Sequence, residues 1–200
     1  MAGIGKSEVA KAYAQKNRKK YTNIIYLYYT GDLRKDIANL TFADDSVEMN
    51  EEVRFQNHYK VMQRLHTDTL LILDNFNVLP KDEPFLKELM KNDMQLLITS
   101  RCKLKNYDSI EIKELDKDKE LKELFYKHCP SAKRDPDSVS AIIEEVNCHT
   151  LTVCMAALTL EVSGMEPEEL LQKLRSCGIG QNMEEIEVFK DDEFSYASMI

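Results

Sequence analysis

The chain has 200 residues, 43% of them apolar and 31% charged, enough for one larger domain or a domain with a smaller partner and ordinary for a globular protein. A net charge of -8 argues against broad nucleic-acid binding by this segment, which needs a basic surface. Five cysteines without a C-x-x-C pair point to reduced thiols in a cytoplasmic protein, with no disulfide framework or zinc site.

The chain opens on Met1-Ala2-Gly3-Ile4-Gly5-Lys6-Ser7, the last seven places of G-x-x-x-x-G-K-[ST], a phosphate-binding loop whose first glycine would precede Met1. Glycines let consecutive backbone N–H groups curl around phosphate oxygens. Lysine adds a point charge, and the Ser7 hydroxyl can join a Mg²⁺ shell. Val9, Ala10, Tyr13 and Ala14 carry helical spacing, so a helix runs from the loop to about Lys20, and its N-terminal dipole favours an anion. The Lys16 to Lys20 run reads as the solvated end of that helix.

Asn23 to Tyr29 is β-rich and predicts a parallel strand buried on both faces, ended by Thr30-Gly31-Asp32. Leu33, Ile37 and Leu40 mark a short helix, Asp44 to Glu52 a solvated loop, and Phe55, Tyr59, Met62 and Leu65 a longer helix. His58 and His66 lie in or beside it with too few companions for a metal site and read as helix surface or packing. Thr69-Leu-Leu-Ile-Leu-Asp74 is an aliphatic strand delivering a carboxylate to its C-terminal tip, where open α/β sheets bind ligands, so Asp74 is a candidate Mg²⁺ ligand.

A helix with Phe85, Leu86, Leu89 and Met90 leads to Gln95-Leu-Leu-Ile-Thr-Ser-Arg101, a second aliphatic strand that sets Thr99 and Arg101 beside the Asp74 tip. An arginine there can read a terminal phosphate through paired donors. Ser109 to Leu115 alternates apolar and polar residues and predicts an edge strand. Beyond Asp116 strand signals stop, and four helices follow, the third of them, Leu151 to Leu160, apolar nearly all round and expected at the centre of a small helical domain. That stretch is too short to span a bilayer. The acidic segment from Gln181 lacks helical periodicity and is expected to be loosely attached or to begin a further domain. The domain expectation is 1–116 for an α/β nucleotide-binding domain, 117–180 for an all-α domain and 181–200 for the tail.

Gly5-Lys6-Ser7, Leu70-Leu-Ile-Leu-Asp74, Leu96-Leu-Ile-Thr-Ser-Arg101 and Asn147-Cys-His-Thr-Leu-Thr-Val153, in this order, resemble the NB-ARC type of STAND nucleotide-binding switch. The resemblance implies a P-loop NTPase domain, a three-layer α/β/α parallel sheet, followed by a small all-α domain, with ADP or ATP between the two. It implies that Gly3, Ile4, Gly5, Lys6, Ser7 and Glu8 cradle the phosphates and that Ser7 and Asp74 serve Mg²⁺. Arg101 would sense the γ phosphate, and His149, Thr150 and Leu151 would lie against the base or ribose. It also implies like chains or further modules of a longer parent as partners: an effector, a winged helix, a repeat sensor.

Three departures qualify these expectations. Thr150 stands where the family usually has proline. Asn75 follows Asp74 where many relatives carry a second acid; an amide positions water but cannot take its proton, so hydrolysis is expected to be slow or absent. The strand that should precede the loop has no counterpart after Met1, so the sheet is expected to keep a gap or to close it by pairing the Thr-Ser-Arg strand with Ser109 to Leu115, and an N-terminally truncated fragment is expected. Two other readings remain: a P-loop ATPase or kinase, and an inert remnant with impaired nucleotide binding.

Overall fold

The computed structural model describes residues 3–43, 45–46, 49–104 and 107–176. They divide into two compact units, one ending at Lys113 and the next opening at Glu114.

The first unit is mixed α/β, built around a parallel sheet of three strands in the order β1-β2-β3: Asn23–Tyr28, Thr69–Asp74 and Gln95–Ile98. Four α-helices accompany it: α1, Lys6–Lys16; α2, Leu33–Ala38; α3, Glu51–Met62; and α4, Phe85–Leu89. Every residue of β2 is buried. Alternating side chains point to opposite faces of a strand, and both faces here are covered. Leu70 and Ile72 pack with Ala10 and Ala14 of α1. Leu71 and Leu73 pack with Leu33 and Ile37 of α2, Phe55 and Met62 of α3, and Leu86 and Leu89 of α4. Each such aliphatic side chain contributes about 1.5–3 kcal/mol when removed from water. Register then follows, with Tyr28 beside Asp74 and Leu73 beside Ile98.

Local signals explain the helix starts. Asp32 caps α2 by accepting from the backbone N–H groups of Arg34 at 2.9 Å and Lys35 at 3.3 Å, and Asn50 caps α3 through Val53 N–H at 2.9 Å. His58 does pack inside α3, fully buried, with Nδ1 2.8 Å from Ile37 O and Nε2 2.6 Å from Asp45 Oδ1.

Three expectations are corrected. β1 is not covered on both faces: Leu27 is buried but Tyr26 is 38% and Tyr28 54% exposed. It is an edge strand, hydrogen-bonded to β2 alone, and a phenol tolerates such a boundary because its ring is apolar and its hydroxyl polar. Ser109 to Leu115 forms no strand, and Ile110 is 89% exposed. Alternation makes a strand only where a core takes the apolar face, and here Glu111, Lys113 and Glu114 surround the few apolar residues. Hence β3 is not paired with that segment; β2 joins β3 directly and the three strands are continuous.

The third correction concerns the helical unit. It contains α5, Glu120–His128; α6, Pro136–Glu145; α7, Thr150–Ser163; and α8, Pro167–Ser176, with a short 3-10 turn at Pro130–Arg134. Phe125, Ile142, Ile143, Val153, Ala157 and Leu171 share one core, with α5 against α7 and α6 against α8. α7 is apolar on all sides as expected, yet within this unit it is buried along one side only: Val153, Ala157 and Leu160 face inward while Leu151, Leu158 and Val162 are exposed. α5 packs along it and α6 touches it, and together they leave the rest uncovered within this unit.

Met1, Ala2 and the segment 181–200 lie outside the described residues. Among the described residues no helix is long and apolar enough to cross a membrane. Cys102, Cys129 and Cys148 are free thiols.

Candidate functional site

Because the strands are parallel, their C-terminal tips share one end of the sheet, and the polar residues gather there. α1 begins at the same end. Gly3 and Gly5 have φ of 66° and 99°, left-handed values that favour glycine. Gly5 is the N-cap of α1 and offers no side-chain acceptor, unlike Asp32 at α2 and Asn50 at α3. Its carbonyl takes the first helical bond, from Val9 N–H at 2.9 Å. Lys6 and Ser7 are half-buried in the first turn, and Glu8 is exposed beside Lys11, 2.9 Å away.

Asp74 is the centre of the arrangement. It is 2% exposed, and its carboxylate accepts three hydroxyl hydrogens from three different elements. Ser7 Oγ donates to Oδ1 at 2.8 Å, Thr99 Oγ1 donates to the same oxygen, and Tyr26 OH donates to Oδ2. Burial by itself raises the Asp74 carboxyl. The bonds from Thr99, Tyr26, Ser7 and the Asn75 backbone outweigh that effect and hold the group below the usual carboxylate range, so it is ionised at neutral pH.

The next layer is built of amides. Asn75 has φ of 62°, a left-handed conformation that asparagine tolerates better than most residues. Its N–H donates to Thr99 Oγ1 at 3.0 Å, and its side-chain Nδ2 donates to Tyr29 O at 3.3 Å. Asn77 Nδ2 donates to Asn75 Oδ1 at 2.5 Å, while Asn77 Oδ1 accepts from the Arg101 backbone N–H at 2.8 Å. A chain of side-chain amides thus runs from the tip of β1 to the segment after β3. Asn75, Asn77, Tyr28, Tyr29, Thr30, Gly31 and Val78 also border an open cleft of about 420 Å³.

Of the residues singled out in the sequence, the structure brings Ser7, Asp74 and Thr99 into direct contact and sets Arg101, with an exposed side chain, in the same tip network. His149, Thr150 and Leu151 open α7 in the second unit, where His149 Nδ1 lies 3.1 Å from Thr152 Oγ1. Sequence reasoning missed Tyr26 and Asn77. The repeated tyrosines at Tyr26 and Tyr28, every second residue of one strand, were the available signal for the first. Nothing in the sequence marked Asn77.

The donor set suits a hard cation. Mg²⁺ takes oxygen ligands and keeps several waters, and Ser7 Oγ and the Asp74 carboxylate are two oxygens already side by side. Among the described residues no group of three or more His, Cys, Asp or Glu could hold a metal, so protein oxygens alone would leave the shell to water or phosphate. No protein-family model matches this chain, and no curated protein matches it.

Proposed function

We propose that this chain is an adenine-nucleotide switch module of the NB-ARC or STAND type, binding ADP or ATP with Mg²⁺ and hydrolysing it slowly or not at all. The observation that carries the reading is the Ser7 to Asp74 hydrogen bond at 2.8 Å, between groups 67 residues apart in the chain. A glycine-formed loop, the start of an 11-residue helix and the tip of a buried aliphatic strand converge there, a combination that the packing of α1 on β2 does not require. Helix N–H groups and Lys6 supply positive potential, and Ser7 and Asp74 supply hard oxygens.

In this reading Gly3 to Glu8 bind the phosphates, Ser7 and Asp74 hold Mg²⁺, and Arg101 senses the terminal phosphate. The cation, when bound, would neutralise phosphate charge; the protein's part is to hold Asp74 ionised and Ser7 in place. Asn75, standing where many relatives carry a second acid, favours the switch over the ATPase or kinase reading. The Asn75 amide is engaged with Tyr29 O and Asn77, and an amide accepts no proton from water. A three-layer P-loop NTPase fold, cytoplasmic placement and partner modules or like chains belong to the same proposal.

Thermal unfolding with Mg²⁺ and ADP or ATP tests it against Lys6→Ala. A ligand at about 100 times its Kd stabilises the folded state by about 2.7 kcal/mol. We expect a nucleotide-dependent rise in Tm for the wild type that Lys6→Ala loses. A cooperatively folding chain with no shift supports the inert reading instead.

A further inference from the structure

Resting on the nucleotide-site reading, we infer that Asn77 is a positioning residue for Arg101: it pins the Arg101 backbone at the strand tips and so lets the site prefer ATP to ADP. β3 ends at Ile98, and its ladder to β2 reaches one residue further. Thr99 N–H donates to Leu73 O at 3.0 Å, and Thr99 O accepts from Phe76 N–H at 2.9 Å. Beyond Thr99, Asn77 takes over. Its Oδ1 accepts from the Arg101 backbone N–H at 2.8 Å, and its backbone O accepts from Cys102 Sγ at 3.4 Å. Arg101 and Cys102 are thus both fastened to a single residue of the segment after β2, 24 positions before Arg101.

Chemistry fixes which way the Asn77 amide points. A backbone N–H can only donate, so the side-chain atom facing Arg101 is the carbonyl oxygen, and the amino group points away from it. That amino group donates to Asn75 Oδ1 at 2.5 Å, which in turn directs Asn75 Nδ2 to Tyr29 O at 3.3 Å. A backbone donor at one end and a backbone acceptor at the other leave both amides a single orientation. Flipping Asn77 would set donor against donor at Arg101 and oxygen against oxygen at Asn75.

The pinned backbone governs where the guanidinium can reach. Arg101 is exposed, and among the described residues no carboxylate pairs with its side chain. Its reach is then set by the Cα from which it swings. Reading a phosphate through paired donors requires the fork to be in place, and a misplacement of about 1 Å can cost about a hundredfold. ADP lacks the terminal phosphate of ATP. A residue that acts through Arg101 therefore affects ATP and spares ADP, whereas one that merely supports the strand tips affects both.

Calorimetric titrations of ADP and of ATP, each with Mg²⁺, into wild type, Asn77→Ala, Arg101→Ala and the double variant test this. Asn77→Ala should weaken ATP binding about tenfold and leave ADP binding unchanged. Arg101→Ala should weaken ATP at least as much, and the double variant no further than Arg101→Ala alone. Asn77→Leu keeps the side-chain volume, lacks the acceptor and should match Asn77→Ala; if Asn77→Ala does not fold, the Asn77→Leu titrations decide. Equal losses for ADP and ATP, full ATP affinity without the Asn77 acceptor, or losses that add in the double variant overturn the inference and leave the nucleotide site standing. If Arg101→Ala binds ATP as wild type does, Arg101 reads no phosphate and Asn77 has nothing to position. If wild type binds neither nucleotide, the nucleotide reading falls and takes the inference with it.

Discussion

The two units bury different kinds of residue. Among the described residues, the sheet unit encloses Asp36, His58, Thr69, Asp74, Glu83 and Thr99, whereas the helical unit encloses Ser138 as its buried polar residue and fills its interior with aliphatic and aromatic side chains. Enclosing a polar group is costly unless its hydrogen bonds are replaced, and the sheet unit replaces them. Glu83 accepts from Tyr29 OH and Leu33 N–H, Asp36 from Thr30 N–H, and Asp74 from three hydroxyls. A unit held by packing alone has no use for such groups. Asp36, Asp74, Glu83 and Thr99 lie at the C-terminal ends of the strands or bond to residues there, while the helical unit's stability depends on filled volume.

The largest test of that contrast is Phe125→Ala in the helical core. Phe125 is fully buried, and its removal should lower stability by about 3–5 kcal/mol in chemical denaturation. A loss below about 1 kcal/mol would mean that the helical unit is not held by volume.

The second test titrates the polar interior. Burial, with the Glu83 carboxylate beside it, raises the Tyr29 phenol to about 12. Its folded value lies above the unfolded value of about 10, so the stabilisation is complete below pH ~10 and fades as pH rises toward the folded value. Linkage over a shift of that size amounts to roughly 3 kcal/mol. Urea melts between pH ~9 and ~12 should show the decline in wild type and a shallower one in Tyr29→Phe. Equal slopes would show that the Tyr29 site does not distinguish the two protonation states.

The smallest effect returns to the helical unit. Gly164 ends α7 at φ of 65° with nothing within 4 Å of where a Cβ would stand. Gly164→Ala therefore meets no neighbour, and the cost is backbone conformation alone, about 1 kcal/mol read as a fall in Tm.

Much of this contrast was legible in the sequence. An aliphatic run ending in Asp74 predicts a buried strand with a carboxylate at its tip, because consecutive apolar residues are stable only when both strand faces are covered. Gly5-Lys6-Ser7 marks a glycine-formed loop and the helix start that follows it. Tyr26 was not legible in its role: a run of isoleucine, leucine and tyrosine has the same pattern at the edge of a sheet as at its centre, and only pairing tells them apart. Ser109 to Leu115 misled for the opposite reason: its alternation is real, but Ile110 is exposed and Leu115 packs with the helical core, so no sheet takes its apolar face. Asn75 could be read as a departure from an acid, yet its hold on Tyr29 O depends on a left-handed backbone that the sequence only permits.

The bonds on Asp74 also carry a consequence for how the chain folds. Their partners are separated by 67, 48 and 25 residues, so no hairpin or single helix can form the site in advance. Long-range contacts of this kind come after the loops between them have closed. The cluster completes only when α1, β1, β2 and the end of β3 have all docked, and a half-assembled sheet cannot imitate it. A chain missing any one of these docked elements leaves Asp74 short of a hydroxyl partner.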